Sequence, residues 1–518
     1  MVPANPIIPG FAPDPSIIRV ADTYFLVNST FHFFPGIPVY ASKDLVSWQH
    51  IGDAFNRHSQ LKLSNTPSKI SQWDDKRQMV GNRGLYAPTI RWHAGTFYII
   101  VSNILDDRSG PNSEVADHLI ISTNDIYANI WSDPIHWEYG GGDPSLFFED
   151  DHVYVQIASA KDASVHQFEI DIQTGKRLSE PKSLWKGTGR PWLESPHVYK
   201  KDGYYYLLVA EGGCFEQHVI SIARSENLWG PYEGCPANPI LTAFNTTSYI
   251  QNVGHGELVE DINGAWWVVV LGVRQTGNSF VLGRESFITS VEWLDSGWPK
   301  ISPVAITANA HDRHRELPQP GSNGAVTFSA VSGFLHIRGR DDKMYTIGPD
   351  GQLTILPSNI DLLDPEGSPT FIGVRQKSLE GTASTSMRLP DIDRVQKIGL
   401  RTGLAMYKEE HRFIRIFYDS TSGEICFEAF SRLAQVHLLN RKAVDLHGDL
   451  GLRLRYTELV YHCEYRLPGS KEYIVLGSID SAKMSNLDFV GPVIGVFAVA
   501  NDVVDGNPEV HFTGLEVD

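Results

Sequence analysis

One frame recurs five times in the first three hundred residues, and it limits the fold more than any other feature. Its copies are "DPSIIRVADTYFLVNST" from Asp14, "APTIRWHAGTFYIIVSN" from Ala87, "DPSLFFEDDHVYVQIAS" from Asp143, "SPHVYKKDGYYYLLVAE" from Ser195 and "HGELVEDINGAWWVVVLG" from His255. Each joins a short apolar run, a turn such as Lys201-Asp202-Gly203, and a β-branched or aromatic run, which is a hairpin signature. The copies follow one another at roughly fifty to seventy residues, about the length of a four-stranded propeller blade. Sustained helical periodicity is nearly absent. A sandwich also accommodates hairpins, but five similar units fit radial repetition better, so residues 1–305 are expected to form a five-bladed β-propeller.

In a propeller the innermost strands line a central channel, so equivalent positions at their starts converge near the axis. Those positions hold Asp14, Ala87, Asp143, the Glu194-Ser195 pair and His255. An unpaired buried charge is costly, so acids repeatedly set beside buried strands point to a functional site. Beyond the fifth copy the texture changes. Residues 306–324 are polar and rich in Pro and Gly, as in a linker. From 325 to 518 short alternating strands resume, including "RFIRIFYD", "GEICFEAF" and "PVIGVFAVA", and suggest a β-sandwich. No acid cluster stands out there. The expected class is therefore all-β, a propeller followed by a sandwich.

At 518 residues the chain is too long for one ordinary core. Its net charge of −17 argues against nucleic acid and acidic membrane surfaces as partners, and suits a neutral substrate. Cys214, Cys235, Cys426 and Cys463 form no CxxC pair and read as reduced, structural thiols. No apolar run reaches membrane-spanning length. The opening "MVPANPIIPG" lacks the regions of a secretory leader, so a cytoplasmic location is expected, or a secreted one if a leader has been removed. Asn28-Ser-Thr and Asn245-Thr-Thr fit a glycosylation triplet but arise often by chance.

Paired carboxylates in a pocket are what glycosidic-bond hydrolysis requires: one neutral, to protonate the leaving oxygen, the other ionised, to activate water or attack carbon. A third acid can orient the donor and raise its pKa. Taken singly, Asp14 and Asp143 read as turn residues and Glu194 as a loop carboxylate; their recurrence in one frame weakens those readings. His255 is open to two readings, a metal ligand or, more commonly, a hydrogen-bonded residue that positions a carboxylate. Arg284 in "VLGRESF" serves equally well as a substrate contact or a structural ion pair. Sugar rings stack on aromatic faces, which singles out Phe31 and Tyr86 near the starts of two repeats, with Ala87 beside the latter. Most of the remaining aromatics read as blade core, and "FEDD" (148–151) as a solvated turn.

These residues resemble glycoside hydrolase family 43, in its β-xylosidase and α-L-arabinofuranosidase branch. The motifs are "NPIIPGFAPDPSIIR", "FFPGIPVYASKDLVSW", "GLYAPTI", "GGGDPSLFF", "ESPHVYKKDGYYYLL", "IQNVGHGELVE" and "LGRESF", in order along the chain. The resemblance implies an inverting mechanism, with Asp14 as general base, Glu194 as general acid and Asp143 tuning and orienting that acid. It places Arg284 and His255 around the glycone, and Phe31 and Tyr86 as subsite walls. It requires no cofactor, though it allows Ca²⁺ in the channel near His255. Two positions depart from the common pattern: Tyr86 stands where many relatives have Trp, and Ser195 where Glu-Gly-Pro-His is commoner. The C-terminal domain resembles one that closes one side of the pocket, which favours exo-action on short oligosaccharides. The implied activity is release of non-reducing-end β-1,4-linked xylose from xylooligosaccharides or arabinoxylan fragments, with α-L-arabinofuranosidase side activity; the alternative is mainly arabinofuranosidase. A homo-oligomer is compatible with all of this. A fructan hydrolase lacks support because its Trp-Met-Asn-Asp-Pro opening is missing, and a non-catalytic sugar-binding propeller has no need of three acids in register.

Overall fold

A computed structural model describes residues 5–110, 113–277, 279–306, 333–348, 351–389, 392–502 and 508–518. The expected linker, 306–324, lies outside the described residues apart from Ile306. Five four-stranded antiparallel sheets form the blades of a propeller. Their innermost strands are Ser16–Val20, Gly84–His93, Gly142–Glu149, Glu194–Lys201 and Ile250–Glu260, and each packs against the next around a ring. Blade four carries one additional short strand, Leu241–Thr242.

The alternation of each strand buries one face against each neighbouring blade, and the core is divided accordingly. One apolar cluster fills each of the five interfaces, such as Phe25, Val39, Ile90 and Leu119 between blades one and two. The last, with Ile17, Leu26, Val259 and Ile288, joins blades one and five. The N-terminal segment clasps that junction: Ile8 bridges to Ser286, and the Asn5 amide donates to the carbonyls of Ile288 and Ala305. A polar group on the axis ties the ring together. Glu257 of blade five accepts the Ser16 hydroxyl at 2.5 Å and pairs with Arg91 at 2.5 Å. Arg91 in turn donates to the Leu146 carbonyl of blade three and to Nδ1 of His197 in blade four. Burial above all pushes the His197 pKa down to about 4, so its neutral ring can accept that bond.

The second domain is a sandwich of a seven-stranded and a six-stranded sheet around one apolar core. The single α-helix among the described residues is Ile392–Ile398, and no described helix is long and apolar enough to cross a membrane. Strands knit the domains together. His336–Ile337 pairs with Phe33–Phe34, and Leu487–Asp488 runs parallel to Gln78–Gly81 of a hairpin inserted between blades one and two.

Beside that second pairing the sandwich holds a charged cluster that its sequence did not announce. Asp488, with no exposed surface, accepts Lys408 at 2.8 Å and Arg412 at 2.5 Å, and Arg412 also pairs with Glu409 at 2.9 Å. Removing one member of such a group leaves its partners charged and desolvated. Asp488→Ala is therefore expected to destabilise the chain by about 3–5 kcal/mol, measured by denaturant unfolding, whereas exposed Asp22→Ala, which breaks a solvent-screened surface pair with Lys43, should leave the unfolding midpoint nearly unchanged.

Candidate active site

The recurrent frame has a backbone basis. Asp14, Ala87, Asp143, Ser195 and His255 all adopt left-handed φ values, of +51°, +43°, +53°, +52° and +43°. In blades two to five the strand register shifts at that point, as between Tyr86 and Thr89 or between Gly142 and Ser145. A bulge re-aims a side chain and breaks a ladder hydrogen bond. That is why Pro can follow at 88, 144 and 196, where its missing N–H costs little, while Pro15 stands just ahead of the first strand. The left-handed residue of each blade is thus presented at the channel mouth. Glu194 lies one residue ahead of its blade's left-handed position, which Ser195 occupies; the Ser195 N–H donates to Asp143 Oδ2 at 3.1 Å.

The three acids share a recess but not an environment. Asp14 is almost fully enclosed, accepts the Ser29 hydroxyl at 2.6 Å and pairs with Arg284 at 3.2 Å. Ser29 Oγ accepts the Ala87 N–H at 2.7 Å, so the blade-two residue serves through its backbone. His255 Nδ1 faces both Asp14, at 3.8 Å, and Asp143, at 4.0 Å. Burial raises the Asp14 pKa, but Arg284, His255 and Ser29 together outweigh it and hold the carboxyl below its ordinary 3.8. Asp143 moves the other way: burial and the Asp14 charge raise it against the pull of His255. Glu194 is pushed up to about 8 by burial and by the charges of Asp143 and Asp14, with Arg284 alone opposing. The site therefore holds an ionised carboxylate and a protonated one within one recess at neutral pH.

The second domain reaches this recess through Phe489, one residue past the buried Asp488. The Phe489 carbonyl accepts Arg284 Nε at 3.2 Å and Nη2 at 3.0 Å, while its ring lies under the guanidinium at 4.9 Å. Phe31 stacks on Phe489 with centroids 5.7 Å apart and meets Tyr86 edge-on at 4.7 Å. Phe31 has no accessible surface. The Arg284 guanidinium lies 5.3 Å over its ring, and Tyr86 meets it edge-on, so Phe31 packs against two residues of the recess. Tyr86 is partly accessible and donates its hydroxyl to the Asn82 carbonyl. His218 lies beneath, with Nδ1 donating to the Asn252 carbonyl at 3.0 Å, and burial drives its pKa down to about 3, so it stays neutral. A Cβ on Gly254 would fall 2.3 Å from that ring, which explains the glycine in "NVGHGE". Burial raises the pKa of the nearby Cys214 thiol, which disfavours the thiolate at neutral pH. No group of three or more His, Cys, Asp or Glu among the described residues is arranged to hold a metal ion. The metal-ligand reading of His255 finds no support in this geometry; its ring neighbours two carboxylates beyond hydrogen-bond length.

An ionised and a protonated carboxyl at the mouth of a five-bladed channel is the equipment of a glycosidase. Residues 3–299 match the family model Glycosyl hydrolases family 43. The chain belongs to that family. Residues 331–516 match a beta xylosidase C-terminal concanavalin A-like domain. A xylosidase/arabinosidase of Butyrivibrio fibrisolvens is 31% identical over 97% of both chains. A non-reducing-end α-L-arabinofuranosidase of Bacteroides ovatus is also 31% identical, over 97% of this chain and 92% of its own. The crystal structure of a xylan β-1,4-xylosidase from Bacillus halodurans superposes with a TM-score of 0.85 at 27% identity, covering 99% of this chain and 100% of that one.

For this family 43 hydrolase, Ser29 and Phe489 are the site residues that motif reading passed over. Ser29→Ala removes the hydroxyl that donates to Asp14. The Asp14 pKa should then rise, and the acid limb of the pH–activity profile should move to higher pH while the alkaline limb stays in place.

Proposed function

We propose that the chain is an exo-acting, inverting hydrolase that removes non-reducing-end β-1,4-linked D-xylose from short xylooligosaccharides. The observation that carries this reading is the opposed protonation of Asp14 and Glu194 within one recess. Ionised Asp14 takes a proton from a water molecule, whose oxygen bonds to the anomeric carbon. Glu194 gives its proton to the glycosidic oxygen as the bond to the leaving sugar breaks, and the product sugar carries inverted configuration. Inversion needs the two carboxyls roughly 6.5–9.5 Å apart, to admit the water. Asp143, held by the Ser195 N–H, keeps Glu194 protonated by its charge, and His255 and Arg284 balance the acids while presenting donors to sugar hydroxyls. The reaction as written runs on the chain's own side chains and calls for no cofactor.

Exo-action is favoured because Phe489 of the second domain packs on Arg284 beside the acids, where it would close one side of the recess to a long polymer. The Bacteroides ovatus relative favours a second reading, in which α-L-arabinofuranose is the preferred glycone. Kinetics on matched nitrophenyl β-xyloside and α-arabinofuranoside decide between the two.

The mechanism has a pH signature. Below the Asp14 pKa water is not activated, and above the Glu194 pKa no proton is available. The profile of kcat/KM should therefore be a bell whose alkaline limb falls near pH 8 and whose acid limb lies below the ordinary carboxylate range. Asp14→Asn should lower kcat by about 10²–10⁴ on any xyloside. Glu194→Gln should abolish the alkaline limb and cost far more on xylobiose than on nitrophenyl xyloside, whose leaving group needs little protonation. Proton NMR of the first-formed sugar should show α-xylose; β-xylose would overturn the inverting assignment.

A further inference from the structure

Two residues ahead of Glu194 the chain holds an indole out in solvent. Trp192 is 62% exposed, and its backbone φ is +57°, a conformation that bulky side chains rarely adopt. The segment that carries it is nonetheless tied down. The Gly212 N–H donates to the Pro191 carbonyl at 2.7 Å. The Thr188 N–H and hydroxyl donate to the wholly buried Glu211 carboxylate at 2.7 and 2.9 Å. The exposure of Trp192 is thus built into the fold.

A second indole stands beside it. Trp73 comes from the turn of the inserted hairpin, between strands Lys69–Gln72 and Gln78–Gly81. Its ring lies nearly parallel to Trp192, at 21° with centroids 6.2 Å apart, and meets Phe215 edge-on at 4.7 Å. Arg77 fastens that turn to the loop of blade four by pairing with Asp74 and Glu216. Gly213 makes the approach feasible, since a Cβ there would fall 2.6 Å from Trp73 and 3.2 Å from Trp192. A sugar ring between the indoles would need about 7–8 Å, twice the carbon contact distance. The pair is therefore one continuous apolar platform with its free face toward solvent.

The platform adjoins the acid. Cys214, next to Gly213, lies close enough to Glu194, Asp14 and Arg284 to feel their charges, and Phe215 stacks on Phe489 at 6.3 Å. One short loop thus has the recess on one side and the two indoles on the other. Water enters on the Asp14 side in the mechanism above, so the leaving sugar departs on the Glu194 side, where Trp192 stands.

We infer that Trp192 and Trp73 form the subsite for the leaving sugar, stacking on the pyranose ring next to the scissile bond. This rests on the assignment of Glu194 as the acid and of xylose as the glycone.

The test compares xylotriose, whose leaving group carries a ring to stack, with β-D-xylosyl fluoride, whose leaving group carries none. The ratio of kcat/KM for xylotriose to that for the fluoride should fall at least tenfold in Trp192→Ala and recover most of the loss in Trp192→Phe. Trp73→Ala, in an exposed hairpin turn away from the acid's strand, should lower the same ratio severalfold and serves if the first variant does not fold. An unchanged ratio in folded Trp192→Ala and Trp73→Ala, with the wild type active on both substrates, would overturn the platform alone. A wild type that left xylosyl fluoride intact would instead overturn the glycone reading on which the platform rests.

Discussion

The site depends on one backbone device, the left-handed residue at the entry of each innermost strand, accompanied by a bulge in blades two to five. An ordinary pleat alternates side chains between the two faces of a blade and sends none along the axis. Turning one residue to φ near +50° in every blade aims five consecutive positions at a common point. The strain is of order 1–3 kcal/mol per residue, and it persists because the five interface clusters and the axial Glu257–Arg91 group hold the ring closed around it. Once that ring exists, function is set by what occupies each position. Asp at two of them supplies carboxyls, His at a third supplies a ring beside both of those acids, and Ala and Ser at the others lend backbone N–H groups to Ser29 and Asp143.

Arg284 extends the dependence to the second domain. One of its nitrogens serves Asp14 and two serve the Phe489 carbonyl, so the guanidinium is placed only when both domains are in register. Phe489 is in turn fixed by its neighbour Asp488, whose carboxylate neutralises Lys408 and Arg412 in the interior. Desolvating that cluster is expensive, and an apolar replacement would serve stability as well or better. Its value lies in specifying one register for the parallel pairing of Leu487–Asp488 with the inserted hairpin. The same hairpin carries Trp73 at its turn.

The propeller and the three acids were legible because their determinants are local and repeated. "DPS" occurs twice in the same frame, and Glu194 stands directly ahead of the fourth Xaa-Pro at the same place. What the residues alone left even, such as Arg284 as substrate contact or ion pair, became a single guanidinium touching both an acid and the other domain. The rest was illegible for definite reasons. Phe489 is 475 residues from Asp14 and sits in a stretch with no motif, so only tertiary pairing brings it to the recess. Phe31 was visible as an aromatic near a repeat, but composition does not show whether a ring faces a pocket or stands behind one. Trp73 and Trp192 do not stand out among the other aromatics, since an exposed indole and a buried one look alike in sequence.

The opposed states of Asp14 and Glu194 follow from asymmetry in their neighbours and need no difference in depth. Burial disfavours charge on both, and left alone it would protonate both. A unit charge about 4 Å away in a medium of effective dielectric near 20 is worth about 4 kcal/mol, enough to reverse burial where a cation is adjacent. Arg284 and the Ser29 hydroxyl are adjacent to Asp14. Among the described residues Glu194 accepts no comparable bond, and it faces two carboxyls, so every nearby acid that ionises makes its own proton harder to lose. The charge settled on Asp14 is thus one of the reasons Glu194 stays neutral, and Asp143 strengthens that coupling from a fixed position. A change that neutralised Asp14 would remove the base and also loosen the proton on the acid, so the two functions are joined through one electrostatic field.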